Sequence, residues 1–248
     1  MGVGRRDVLK AGAAGAMVLG VGACAPPPTA ATVTSPTTPA PVVATTTAPV
    51  VGEVRHGPRD RAQVALTFHG QGDPGQVGRL LAVLAASGTR TTVLAVGSWL
   101  DEQPESAARV LAGGHELGNH TQNHLAITEL DAGAAYAEIA ACARRLRTLT
   151  GSIGAWFRPS QTPTATPLIL AQAKRAGYPA CLSYDVDSLD YTDPPPAQVV
   201  GTVLELARPG SIISLHFGHE TTVEAMPGIL AGLAGRGLRP VTASELFA

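Results

Sequence analysis

Gly114-His115-Glu116-Leu117-Gly118-Asn119-His120-Thr121-Gln122-Asn123-His124 is the stretch around which this chain is organised. Residues 115–118 read as a short strand. His120 and His124 follow, four apart, among small and polar neighbours. On a helical turn, residues i and i+4 share a face. Two imidazoles placed that way suit one divalent metal, zinc above others. Histidines four apart also occur on ordinary surfaces, so the reading depends on what else the chain brings to them.

Working outward, a strand over 91–96 and a helix over 98–112 lie upstream, preceded by a strand over 64–68 and a helix over 77–86. Downstream, 131–149 is the clearest helix. Ile139, Cys142, Leu146 and Leu149 fall on one of its faces, which makes Cys142 a core residue, and Gly151 ends it. Strands over 155–158, 180–184, 212–215 and 239–241 then alternate with helices over 165–176, 197–207 and 223–236. Cys181 is expected to be buried in its strand. Seven strands alternating with helices predict an α/β protein with a parallel sheet. Residues 55–248 have the length of one domain. The expected architecture is a (β/α) barrel with about seven parallel strands; a doubly wound open sheet is the second choice.

The preceding residues differ in kind. Residues 1–25 read as an export signal. Gly4-Arg5-Arg6-Asp7-Val8-Leu9-Lys10 resembles a twin-arginine motif, and a weakly apolar run follows that is too short for a comfortable membrane span. Val21-Gly22-Ala23-Cys24 resembles a lipobox with Cys24 as the lipidated residue. The expected location is the outer face of the cytoplasmic membrane, anchored through that lipid; cleavage at Ala23-Cys24-Ala25 and secretion is the alternative. Residues 26–54, rich in Pro, Thr and Ala, read as an extended linker. The 18 basic and 19 acidic residues nearly cancel, which argues against a nucleic-acid partner. Three cysteines are too few for a disulfide framework.

In α/β barrels, functional side chains sit at the C-terminal ends of strands, and the titratable residues gather there. His69-Gly70-Gln71-Gly72-Asp73 follows the first strand, and His120 and His124 the third. Phe157-Arg158-Pro159 ends the fourth. Asp185, Asp187, Asp190 and Tyr191 follow the fifth, and His216 and His219 the sixth. Five strand ends carrying such groups on one rim predict a catalytic site.

These residues resemble the polysaccharide deacetylase domain (NodB homology, carbohydrate esterase family 4) across residues 60–247. Thr67-Phe68 matches the start of its first motif, Thr-Phe-Asp-Asp-Gly. His120-Thr121-Gln122-Asn123-His124 matches the second, His-Ser/Thr-x-x-His. Phe157-Arg158-Pro159 matches the third. Asp187-Ser188-Leu189-Asp190-Tyr191 matches the fourth, with Tyr for Trp, and His216 matches the histidine of the fifth, Leu-x-His. The first motif departs: its two aspartates, general base and metal ligand in the family, are His69 and Gly70 here. Ser214 stands where the fifth motif has Leu.

The resemblance implies metal-dependent hydrolysis of N-acetyl groups on an amino-sugar polymer or oligomer. His120 and His124 would bind the metal. His216 would be the general acid, supported by Asp190 or, failing it, Asp187, and Arg158 would orient the base. For the altered motif, the Gly70-Gln71-Gly72 loop is expected to bring Asp73 in as third ligand, with His69 as base. Alternatively His69 binds the metal, giving three histidines. A non-catalytic glycan-binding protein of the same fold, or a hydrolase of another amide or an O-acetyl ester, is the competing expectation. Trp156 and Trp99 are candidates for stacking on a sugar ring.

Overall fold

The computed structural model describes residues 50–248. The export signal, Cys24 and residues 26–49 of the expected linker lie outside the described residues. Among the described residues, eight short strands and eight α-helices follow one another along the chain. The strands are β1 (Gly52–Val54), β2 (Gln63–Gly70), β3 (Thr92–Ala95), β4 (Glu116–Asn119), β5 (Ala180–Leu182), β6 (Val186–Asp187), β7 (Ile212–His216) and β8 (Arg239–Val241). The helices are α1 (Pro74–Ala86), α2 (Gly97–Glu102), α3 (Glu105–Ala112), α4 (Ala132–Thr150), α5 (Pro167–Arg175), α6 (Pro196–Leu206), α7 (Glu220–Gly235) and α8 (Ala243–Leu246).

All strand ladders are parallel. β2 is the central stave: β7 runs along one flank, and β3, with β8 below it, along the other. Its residues 64–68 are all buried, the pattern of a strand covered on both faces. β4 extends the sheet beyond β3. From β4 the ladder passes through a single bridge at Phe157 to Cys181 of β5. Residues 180–188 then cross to the other side: Asp185 N–H reaches the Ile212 carbonyl at 3.2 Å, and β6 pairs with β7. These links close the ring. The largest apolar cluster, with Phe68, Leu80, Leu84, Leu100 and Ile229, lies between the strands and the helices outside them.

The expected barrel is present, with four differences in its parts. The strand expected over 155–158 is one bridge at Phe157, because Pro159 lacks a donor and leaves little room for a ladder. The helix expected over 98–112 is two helices, broken at Pro104. The end of the expected linker is strand: Gly52–Val54 pairs with β5, and the Glu53 carboxylate accepts from Ser183 Oγ at 2.7 Å and from Ala165 N–H at 2.8 Å. The histidine pair lies on an irregular loop after β4, not on a helix. Left-handed residues at Thr121 (φ 69°) and His124 (φ 55°) curl that loop back on itself.

Candidate metal centre and active site

The C-terminal ends of β2, β4 and β7 meet at one rim and carry the site. His69 ends the inward row of β2, paired in register with His216 of β7. His120 follows β4. The His120 and His124 ring centroids are 4.9 Å apart, and those of His69 and His120 are 4.4 Å apart. One nitrogen from each of His69, His120 and His124 lies within 4.8 Å of the other two.

His120 decides what this cluster can do. Its Nδ1 lies 3.0 Å from the Arg158 carbonyl oxygen. A carbonyl only accepts, so Nδ1 carries the proton and Nε2 presents a lone pair. That Nε2 is buried with no protein partner. An unpaired nitrogen in a dry site is costly, and a metal ligand held from behind by a backbone carbonyl is the usual arrangement that resolves it. Burial above all, then the neighbouring imidazoles, pushes the pKa values of His69 and His120 well below the ordinary histidine range. Burial and His216 lower that of His124. Neutral imidazoles are what a divalent ion needs. The three residues therefore fit a zinc-type site.

His216 stands beside the cluster, its ring centroid 4.2 Å from that of His69. Its Nδ1 donates to Asp190 Oδ1 at 2.7 Å, which leaves Nε2 free to exchange a proton. Asp190 is fully buried and also accepts from the His216 backbone N–H at 2.8 Å and from Thr222 Oγ1 at 2.6 Å. Burial alone would raise its pKa; hydrogen bonds and charge from His216, with the Thr222 bond, outweigh it and the pKa falls below the usual carboxylate value. Of the two expected supports for His216, Asp190 holds the position. Asp187 lines an adjoining cavity of about 420 Å³ with Thr162, Tyr184 and Tyr191.

Residues 56–181 match the polysaccharide deacetylase family. A peptidoglycan-N-acetylglucosamine deacetylase of Bacillus cereus is 30% identical over 202 residues, covering 77% of this chain and 90% of the relative. The chain belongs to the polysaccharide deacetylase family. The family 4 carbohydrate esterase of Streptomyces lividans, solved in complex with acetate, superposes with a TM-score of 0.66 at 26% identity, covering 72% of this chain and 91% of that one. A family 4 pseudoenzyme of Bacillus anthracis shares the fold, with a TM-score of 0.75 at 21% identity and coverage of 81% and 70%.

Set against the family's motifs, three of the expected site residues bear on the altered first motif. Asp73 does not reach the histidines: it caps α1, accepting from Gly75 N–H at 2.8 Å and Gln76 N–H at 3.3 Å. The loop before it is tied down at Gly72, whose carbonyl accepts from Trp99 Nε1 and Gln103 Nε2 at 3.0 and 3.1 Å. His69, expected as base or as third ligand, offers a nitrogen within 4.8 Å of those of His120 and His124. Arg158 donates to neither His69 nor Asp73. It is buried, donating from Nε to the Leu182 carbonyl at 2.7 Å and from one terminal nitrogen to Thr67 Oγ1 at 2.8 Å, under the Tyr184 ring. Its other terminal nitrogen is buried without a partner, and burial brings its pKa down to about 10.

Two departures from the family pattern touch each other. Ser214 Oγ lies 3.2 Å from His69 Nε2, so the fifth-motif serine meets the first-motif histidine. Trp156 is no sugar platform: it is buried, donates to Ser244 Oγ at 3.0 Å and packs on Phe247. Trp99 is largely buried against Phe217. Sequence reasoning passed over Thr222 and Asp193. Asp193 had a signal, since it follows Asp190 by three residues just as His219 follows His216.

Proposed function

We propose that this polysaccharide deacetylase family member is a metal-dependent hydrolase that removes N-acetyl groups from an amino-sugar polymer or oligomer. The observation that carries the reading is the three-histidine cluster, with a buried unpaired Nε2 at His120, beside a histidine locked to a buried carboxylate. A divalent ion held by His69, His120 and His124 would supply Lewis acidity toward an acyl oxygen and toward water. Asp190 fixes the His216 tautomer and orients the ring. His216 Nε2 would then hand a proton to the departing amine. Tyr191, 46% exposed and edge-on to His216 at 5.1 Å, would take the sugar face.

The relatives named above support the substrate class, since the Bacillus cereus protein acts on peptidoglycan N-acetylglucosamine. The twin-arginine-like stretch and Cys24 support an exported protein anchored by lipid; fractionation of wild type and Cys24→Ala checks that part. The test of the activity is acetate release from N-acetylglucosamine oligomers and from peptidoglycan, after chelation and again with zinc, cobalt, nickel or manganese restored. Metal-dependent acetate is the expected result. Binding of oligomer with no acetate under any of these metals would replace this reading by a glycan-binding one, which the lack of a carboxylate in the histidine cluster favours.

A further inference from the structure

The site as described has ligands and an acid but no proton acceptor for water. Gly70 has no side chain, Asp73 is spent on α1, and His69 sits among the ligands. A cavity of about 350 Å³ brings together all three ligand histidines, His216 and one further titratable imidazole, His219.

His219 repeats the construction of His216. Its Nδ1 lies 2.8 Å from Asp193 Oδ1, as that of His216 lies 2.7 Å from Asp190. A carboxylate at Nδ1 fixes the tautomer that leaves Nε2 as acceptor. Asp190 opens one short 3-10 turn, Asp190–Thr192, and Asp193 caps it, with left-handed backbone on either side at Leu189 (φ 58°) and Asp193 (φ 51°). Left-handed backbone is uncommon outside glycine and tends to persist at functional positions. The opposing loop is fixed as well: Thr221 Oγ1 donates to the Pro194 carbonyl at 2.5 Å. The His216 and His219 ring centroids are 6.0 Å apart with the rings edge to face. Asp187 is the rival acceptor: the cavity it lines also takes in His69, His124 and His216, though one of its oxygens already accepts from Leu189 N–H at 3.1 Å.

We propose that His219, oriented by Asp193, is the general base of this site, standing in for the carboxylate that the first motif has lost. The proposal rests on the hydrolytic reading above. Water gives a proton to His219 Nε2 as its oxygen bonds to the acyl carbon. The carbon–nitrogen bond then breaks, the nitrogen takes a proton from His216 Nε2, and acetic acid and the free amine leave, the acid giving its proton to solvent to become acetate. His219 releases its proton to solvent and His216 takes one up before the next turnover.

The test is steady-state kinetics on the full zinc-loaded protein with N-acetylglucosamine oligomers, for wild type, His219→Gln, His219→Gly, Asp193→Asn and Asp187→Asn. Metal content and melting temperature are measured alongside. His219→Gln is expected to lower kcat by about 100-fold or more, to leave zinc content and KM unchanged, and to abolish the acidic limb of the kcat/KM profile. Added imidazole should restore part of the activity of His219→Gly, and Asp193→Asn should fall between the extremes. Wild-type-like kcat in His219→Gln, or an acidic limb lost with Asp187→Asn instead, overturns the proposal while leaving the hydrolase standing. Wild type that releases no acetate with any metal overturns the hydrolytic reading, and the assignment of a base with it.

Discussion

At Gly70 the neighbouring strand β3 obstructs the side chain that the family's first motif would place there. A Cβ built on it would lie 2.7 Å from Val93 Cγ1 and 3.1 Å from the Ala95 Cα. Gly70→Asp is therefore expected to destabilise the fold by roughly 1–3 kcal/mol, the usual cost of overpacking, visible as a lowered denaturation midpoint. His120 and Asp73 offer the sharper contrast. His120→Ala should abolish zinc binding measured by elemental analysis of the dialysed protein. Asp73→Ala should keep its zinc and lose only the helix cap, about 1 kcal/mol of stability. Equal loss of zinc in both variants would return Asp73 to the ligand set. His120, His124, Asp190 and His216 were readable as site residues because imidazoles and carboxylates at strand ends have few structural uses. The choice between His69 and Asp73 as third ligand, both of them offered by the sequence, was not readable. It depends on Ser214 lying across β2 from His69 and on Trp99 and Gln103 gripping Gly72, contacts between residues 27 to 145 positions apart.

At the scale of elements, the loops after β2 and β7 pack backbone to backbone. Gly218 adopts φ 82°, and a Cβ there would meet the Gln71 carbonyl oxygen at 2.8 Å and the Gly72 Cα at 3.0 Å. Gly218→Ala combines a strained conformation with a clash, so the expected outcome is a clear drop in melting temperature together with reduced turnover, since His216 and His219 flank it. β1 makes a second prediction. A chain begun at Arg55 loses the β5 pairing and both Glu53 hydrogen bonds. At about 1 kcal/mol for each bond, it should unfold at least about 4 °C below one begun at Val50. Identical melting would make β1 ornamental. That strand was hidden because Val50 and Val51 continue the Pro-, Thr- and Val-rich composition before them, and three residues are too few for alternation to show. The core staves were legible for the opposite reason: runs such as Val64–Phe68 are apolar but for Thr67 and bounded by helix-starting residues, Asp73-Pro74 among them.

Across the whole molecule, the buried imidazoles set an acid limit on stability. His69, His115, His120 and His124 all have folded-state pKa values below the ordinary one, chiefly through burial. The unfolded chain therefore takes up protons first as pH falls. Their stabilising contribution is complete above ~6.5, the unperturbed histidine pKa, and is lost progressively below it. Denaturant titrations of metal-free protein should show stability declining from about pH 6.5 downward, and a flat profile from 7 to 5 would contradict the buried-neutral assignment. Zinc at a thousandfold excess over its Kd should add about 4 kcal/mol at pH 7, with the gain fading as acid competes for the ligands.

The closure of the ring has one more consequence. Residues 180–188 bond to Phe157 on one side and to β7 on the other, and the chain then runs directly into Asp190. Spreading the barrel open at this seam would pull that carboxylate away from His216. Amide exchange at Leu182, Asp185 and Ser188 should accordingly slow and quicken together with that of His216, as one cooperative opening, so a variant that loosens the seam would forfeit proton delivery long before it lost its shape.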